Sequence, residues 1–357
     1  MTTCDTLGVP VYRGQDTLPL LLECLKTQSY KDIDVLISVD GGDEPSAEAC
    51  KPFLYQDTRF RMHVQPSRLG WAANTDWTMR HRRGDFYIYQ QHDDLLSPTY
   101  IADLVEASVR WPKAVICFAK LQFTGQRDEE ISSPSLLGAP KERVLDYLRT
   151  LDWVPFRGLI RGSALEKTSG LLLSDFDPFD SLGTEHRFMA ELALLGEFQF
   201  VEGPTYFKSW HGENLSIKRG RWSREHWLTA FACYAAWMIE VIAPIGRSAK
   251  ERRRLFGITL DRFAGKKDPL NWIRSLLRIK IKPLLPVRIW DQLKASEKLR
   301  SAFQERPGSW LGSVSTEERS FFLREILERL KSGGRFDPHD CLNMSWRALE
   351  SKVLRQS

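Results

Sequence analysis

Over the first 120 residues, apolar and polar positions switch between two periods. Residues 7–12 are a short apolar run that leans to β, and 33–39, 60–64, 85–89 and 114–119 repeat the type. Between them, Leu18, Leu21, Leu22 and Leu25 recur at helical spacing over 16–28, and 45–55, 71–82 and 98–111 read as further helices, the last with Pro98 in its first turn. Strands alternating with helices of this length predict βαβ units, a mostly parallel sheet and right-handed crossovers. Beyond residue 122 the pattern loosens. Residues 124–140 read as a polar loop, 141–150 as a helix and 183–195 as a helix with Gly196 as its C-cap. Residues 198–201 read as a short strand and 203–216 as a loop. From Trp222 on, helical patterns dominate, over 222–243, 247–264, 268–280, 288–304 and 316–331, broken by Pro244, Gly265, Pro283, Pro286, Pro307 and Gly333-Gly334. The expected organisation is an α/β domain over 1–221 and a mostly helical region over 222–357.

Composition adds a constraint on class and a hint about partners. With 357 residues, 42% hydrophobic and 27% charged, the chain is globular, which excludes a disordered or collagen-like protein. The net charge of +5 is a cancellation: residues 1–215 hold 22 basic and 31 acidic side chains, net −9, and residues 216–357 hold 29 and 15, net +14. The basic part suggests an anionic partner. Cys4, Cys24, Cys50, Cys117, Cys233 and Cys341 are scattered, with no C-x-x-C pair, as expected of reduced thiols in a cytoplasmic protein. The N-terminal residues show no signal-peptide pattern. The apolar run 228–242 is shorter than the roughly 20 residues of a membrane span and reads as a buried helix.

In open α/β sheets, ligands bind beyond the carboxyl ends of the strands. Three polar clusters fall there: Pro10-Val11-Tyr12-Arg13, Asp40-Gly41-Gly42-Asp43 and His92-Asp93-Asp94. Each alone is an ordinary Asp/Gly-rich turn; all three together are not. Adjacent carboxylates at Asp93-Asp94 repel, and a hard divalent cation relieves the conflict, Mg²⁺ by oxygen ligands and Mn²⁺ if His92 takes part.

Here the sequence resembles the family 2 glycosyltransferases, which have the GT-A nucleotide-sugar-binding fold. The resemblance is carried, in order, by Val9-Pro10-Val11-Tyr12-Arg13, Leu18 to Leu25 with Gln28-Ser29-Tyr30, Ser38-Val39-Asp40-Gly41-Gly42-Asp43, Arg68-Leu69-Gly70-Trp71-Ala72-Ala73-Asn74, Gly84-Asp85-Phe86-Tyr87 and Gln91-His92-Asp93-Asp94. It continues through Ser97-Pro98-Thr99-Tyr100-Ile101, Arg157 to Arg161, Thr184-Glu185-His186-Arg187-Phe188, Gly196-Glu197 and Trp210 to Ser216, and so covers roughly residues 6–216. It implies inverting transfer from a nucleotide-sugar, UDP-linked, to a hydroxyl of a glycan or lipid-linked acceptor in cell-surface polysaccharide synthesis. It also implies roles. Asp40 pairs with the base, Pro10, Val11 and Tyr12 wall its pocket, and Arg68, Asn74 and His92 complete the nucleotide side. Asp93, Asp94 and His211 hold Mn²⁺ or Mg²⁺. The base is Glu185 or His186, which the sequence leaves open, with Asp180 in reserve. Gln91 departs from the family pattern, which has Asp there.

The basic part matches no family pattern. Residues 247–254 read Arg-Ser-Ala-Lys-Glu-Arg-Arg-Arg, and 274–288 interleave Arg278, Lys280, Lys282 and Arg288 with apolar residues. Such a segment suits peripheral contact with an anionic membrane, on its inner face, or a solvated helix face. No nucleic-acid recognition motif is present. Two other classes fit less well: a catalytically degenerate GT-A-like binding or scaffold subunit, and a nucleotidyltransferase, which needs a Gly-rich basic loop that Arg13-Gly14 barely supplies.

Overall fold

The computed structural model describes residues 5–173 and 180–212, with single positions at 219, 230, 234, 237, 238, 241, 242, 245, 255, 258 and 259. The chain divides into two compact units, one of residues 1–147 and 152–221, the other of 148–151 and 222–357. Most of the second unit, including the expected helices, the basic segment 247–288 and most of the run 228–242, lies outside the described residues. Within it, Ala230, Tyr234, Met238, Val241 and Ile242 are buried at helical spacing. Among the described residues no helix is long and apolar enough to cross a membrane.

The first unit is α/β. Its strands are β1 (Asp5–Val11), β2 (Ile33–Val39), β3 (Phe60–Val64), β4 (Phe86–Tyr89), β5 (Leu95–Leu96), β6 (Ala114–Gly125), β7 (Glu129–Ile131), β8 (Leu159–Arg161) and β9 (Glu197–Trp210). Its helices are α1 (Leu18–Lys26), α2 (Glu44–Gln56), α3 (Trp71–Arg80), α4 (Tyr100–Arg110), α5 (Pro140–Thr150), the one-turn α6 (Gly162–Leu165) and α7 (Thr184–Leu195). The sheet order is β3-β2-β1-β4-β8-β6-β9-β5, with β7 beside β6. The four leading strands are parallel; β8 runs antiparallel to both β4 and β6, and β9 is parallel to β6. Every residue of β1 and β2 is buried, as in a sheet covered on both faces. That is why these strands read as unbroken apolar runs.

The first half follows the expected pattern within a residue or two. Helix α4 starts at Tyr100, leaving Pro98 before the helix rather than in its first turn. The second half differs more. Residues 124–140 hold the end of β6 and all of β7, and β9 continues to Trp210 where a loop was expected from Gly203. The reason is a bulge: β9 from Phe200 to Thr205 faces only Phe118 to Lys120 of β6. Gly203, at φ +110°, and Pro204 lie in it, so two residues that read as a turn interrupt a strand that then resumes. Gly196 follows α7 in extended rather than left-handed conformation.

Helix α3 packs closely on β1 at Gly8. A Cβ there would fall 2.4 Å from the Tyr87 hydroxyl and 2.5 Å from Thr78 Oγ1, and these two hydroxyls are hydrogen-bonded to each other at 2.7 Å. A methyl would force that buried pair apart. Gly8→Ala should therefore cost about 1–3 kcal/mol, read as a lower urea midpoint at unchanged slope; an unshifted midpoint would show that β1 has room.

Candidate active site

The turns after β1, β2 and β4 meet at the carboxyl end of the parallel strands. The turn after β4 is fixed first by Gln90, whose Nε2 donates to the carbonyls of Gln91 (3.0 Å) and Asp94 (2.9 Å). Asp94 is fully buried and spans to β9. Its Oδ2 accepts from the Tyr206 hydroxyl at 2.9 Å and from Lys208 Nζ at 3.4 Å, and its Oδ1 from the Ser209 N–H at 2.8 Å. Burial pushes the Asp94 carboxyl up and the Lys208 ammonium down, against their mutual attraction. The pair sums to zero charge wherever the proton sits.

Asp94 is thus a strut, and the expectation that it ligates a metal gives way, because both oxygens are held by protein donors. Its neighbour is placed differently. Asp93 Oδ2 lies 2.8 Å from His211 Nε2, at the end of β9. Burial alone would raise the Asp93 carboxyl, but His92, Lys208 and His211 outweigh it and hold it below the usual carboxylate range. One carboxylate and one imidazole suit Mn²⁺ or Mg²⁺. Their separation is close to the roughly 3 Å between adjacent ligand atoms of an octahedral ion with bonds of about 2.1 Å. Among the described residues no group of three or more His, Cys, Asp or Glu is arranged to hold an ion. Among the described residues, Asp93 and His211 are the pair that could serve as two ligands of such an ion.

Two cations that sequence reasoning gave no role stand behind this turn. Gln91 Oε1 accepts from Lys208 Nζ at 2.7 Å and from Arg157 Nη2 at 2.9 Å. Arg157 is 8% exposed, with its guanidinium 4.7 Å from the Tyr89 ring centroid and Phe156, Trp153 and Tyr206 also around it. Arg157 lies in a quoted motif, and Lys208 in residues read as loop. The signal was available only as the alternation of β9, which the bulge disguises.

On the nucleotide side, Asp40 is buried and committed. Its Oδ1 accepts from the N–H groups of Gly41 (3.1 Å) and Leu69 (2.6 Å), and its Oδ2 from Gly70 (2.9 Å). It shapes the loop before α3, which corrects the expectation of a carboxylate turned to the base. Asn74 is likewise structural: it accepts from the Ser38 hydroxyl at 2.6 Å and donates to the Ser38 carbonyl at 2.9 Å, tying α3 to β2. Pro10 and Val11 lie within β1, paired with Ser38 and Val39. Tyr12 emerges beyond them, half-buried, with the Arg68 guanidinium 4.2 Å and that of Arg13 5.2 Å from its ring centroid. Arg13 is left-handed at φ +56°, and its N–H donates to Asp43 Oδ2 at 2.6 Å. His92 Nδ1 lies 3.0 Å from Thr17 Oγ1, so it packs on the loop after β1.

The third group lies around the start of α7. Glu185 is half-buried in the first helical turn, where its Oε2 accepts from the Gly183 N–H at 3.1 Å. His186 is buried, with Nδ1 3.0 Å from the Tyr147 hydroxyl of α5, so this nitrogen is directed to the helix layer. Asp180 is buried in an ion pair with Arg219, whose Nε donates to its Oδ2 at 2.8 Å, and its carbonyl accepts from Trp71 Nε1 at 2.5 Å. The Asp180 carboxylate is thus engaged by Arg219. Asn214 to Ser216 lie outside the described residues.

Residues 6–168 match the family described as glycosyl transferase family 2. EpsH of Bacillus subtilis, described as a glycosyltransferase, is 26% identical over 169 residues, 46% of each chain. Glycosyltransferase GlyA of Streptococcus pneumoniae is 27% identical over 106 residues, 30% of this chain and 15% of that one. The chain thus spans less than half the length of these curated relatives. The crystal structure of S. aureus TarS 1–349 in complex with UDP-GlcNAc is similar at a TM-score of 0.60 and 12% identity, over 99% of this chain and 92% of that one. At that identity the likeness concerns the fold, which is GT-A.

The two adjacent aspartates should separate in a stability assay. Asp94→Ala strands a buried ammonium and two other donors, and should cost about 3–5 kcal/mol in urea unfolding. Asp93→Ala removes one hydrogen bond to a carboxylate, and should cost less, about 1.5–3 kcal/mol. Equal losses would overturn the division of roles.

Proposed function

We propose that this chain, which carries a family 2 glycosyltransferase domain of GT-A fold over residues 6–168, transfers a sugar with inversion from a nucleotide-sugar donor to an acceptor hydroxyl. The observation that carries the reading is the pairing of Asp93 Oδ2 with His211 Nε2, 2.8 Å apart beside the turns after β1 and β2. These two residues would hold Mn²⁺ or Mg²⁺. When bound, such an ion would offset the charge of the departing diphosphate.

The chain's own residues divide the remaining tasks. Tyr12, with Arg68 and Arg13 beside its ring, forms the wall for the nucleoside, and His92 with Pro10 and Val11 backs it. Uracil is the base favoured, supported by the UDP-GlcNAc complex of the similar TarS fold. Asp40 and Asn74 act through the loop and helix they hold. Glu185 is the base: it sits in the first turn of α7, partly exposed, and takes the proton of the acceptor hydroxyl as its oxygen attacks in line, opposite the diphosphate. Residues 1–221 form the catalytic domain and 222–357 a basic extension. The interleaved charges of 247–288 suit contact with an anionic inner membrane surface, where lipid-linked or glycan acceptors of cell-surface polysaccharide are handled. On this reading the enzyme acts in the cytoplasm, and the sequence carries no nucleic-acid recognition motif.

Thermal-shift and donor-hydrolysis assays with UDP-sugars, with and without Mn²⁺, test the reading, because a bound ligand stabilises by mass action. UDP with Mn²⁺ should raise the melting temperature, and Asp93→Ala should abolish turnover. Glu185→Gln should lower kcat about 10²–10⁴-fold with UDP binding retained. Undiminished turnover in Asp93→Ala, or no stabilisation by any UDP-sugar, would end it.

A further inference from the structure

Gln91 stands where the family resemblance leads one to expect a carboxylate, and the structure fixes which way its amide points. Its Oε1 accepts from Lys208 at 2.7 Å and from Arg157 at 2.9 Å. Lysine and arginine carry donors only, so the amide cannot be turned over without setting its NH₂ group against two cations. The oxygen faces the two cations, which leaves Nε2 turned away from them. A carboxylate at this position would present acceptors to a substrate; Gln91 presents a donor.

The charge behind that donor points the same way. Arg157 is 8% exposed, and among the described residues its Nε and Nη1 have no hydrogen-bond partner. Among the described residues, the carboxylates that face its charge and that of Lys208 are Asp93 and Asp94. A carboxylate at position 91 would add one further negative charge; the amide adds none, and leaves the turn one unit more positive than its carboxylate-bearing counterpart. An N–H backed by two buried cations is complementary to an acceptor-only, anionic group, since hydrogen bonds to ionised acceptors are the stronger kind.

Its position identifies the source. Gln91 is two residues from Asp93 in one turn braced by Gln90. On the transferase reading, on which this inference rests, Asp93 lies at the donor diphosphate, which joins the nucleoside to the sugar, and of those two groups the sugar is the one that can bear a carboxylate. We propose that the transferred sugar carries a carboxylate, as in a hexuronate, and that Gln91 Nε2 donates to it. Arg157 and Lys208 are positioning residues that lock the amide and supply the field.

Isothermal titration of the full chain with Mn²⁺ and UDP, UDP-glucose, UDP-galactose, UDP-glucuronate and UDP-galacturonate tests this. At least one uronate donor should bind tenfold or more tighter than its neutral counterpart. Gln91→Asp should abolish or reverse that preference, and Gln91→Leu should abolish it, while UDP alone binds both variants within about twofold of the parent, which also reports that they are folded. Equal affinity of the parent for neutral and uronate donors overturns the proposal, as does a preference that survives Gln91→Asp. Failure of UDP itself to bind overturns the transferase reading instead, and the inference falls with it.

Discussion

The arrangement depends on one buried carboxylate. Asp94 has no exposure to solvent, a position that is costly for a charge unless donors replace the lost water. Three donors do so, and all come from β9: the Tyr206 hydroxyl, the Lys208 ammonium and the Ser209 N–H. The consequence is geometric. The turn after β4 is fastened to the end of β9, and Asp93 and His211 come together because their neighbours are fastened. Asp40 repeats the device after β2, where its two oxygens hold the loop that leads into α3. At both places a buried carboxylate shapes the turn, and the more exposed side chains beside it, Asp93 and Tyr12, are left to meet a ligand.

The parallel half of the sheet was legible because its physics is local. Strands covered on both faces must be apolar throughout, and β2 and β3 were read to the residue. The later strands were not legible in the same way. β8 has three residues and β5 two, too short for any period, and the Gly203-Pro204 bulge makes β9 read as a strand followed by a loop. The site shows the same limit. The order of motifs located every turn, but residue type does not say which polar group is already satisfied. Asn74, His186 and Asp40 have chemistry that could serve a ligand, and each meets a partner 29 to 39 residues away. That of two adjacent aspartates one is held by donors of β9 and the other meets His211 was decided 112 or more residues on. Lys208 and Arg157 were missed for the converse reason: cations are read as surface residues, and here Tyr89, Phe156, Trp153 and Tyr206 surround the guanidinium.

Those aromatic neighbours also set the strength of the local electrostatics. Rings displace water from around Arg157, and in a medium of low polarity a charge is felt further and more strongly than at the surface. Single charges in the turn after β4 therefore weigh heavily. A change from carboxylate to amide at position 91 alters the balance of a cluster in which Asp93 and Asp94 face Arg157 and Lys208.

The separation of Asp93 from His211 along the chain is 118 residues. Pairings of such long range are slow to form, because a large loop must close before they are rewarded. During synthesis, β1 to β4 and their helices can begin to pack while the imidazole has yet to be joined to the chain. The first half of the protein therefore leaves the ribosome as a scaffold without a centre. The last described strand to be made is the one that completes it.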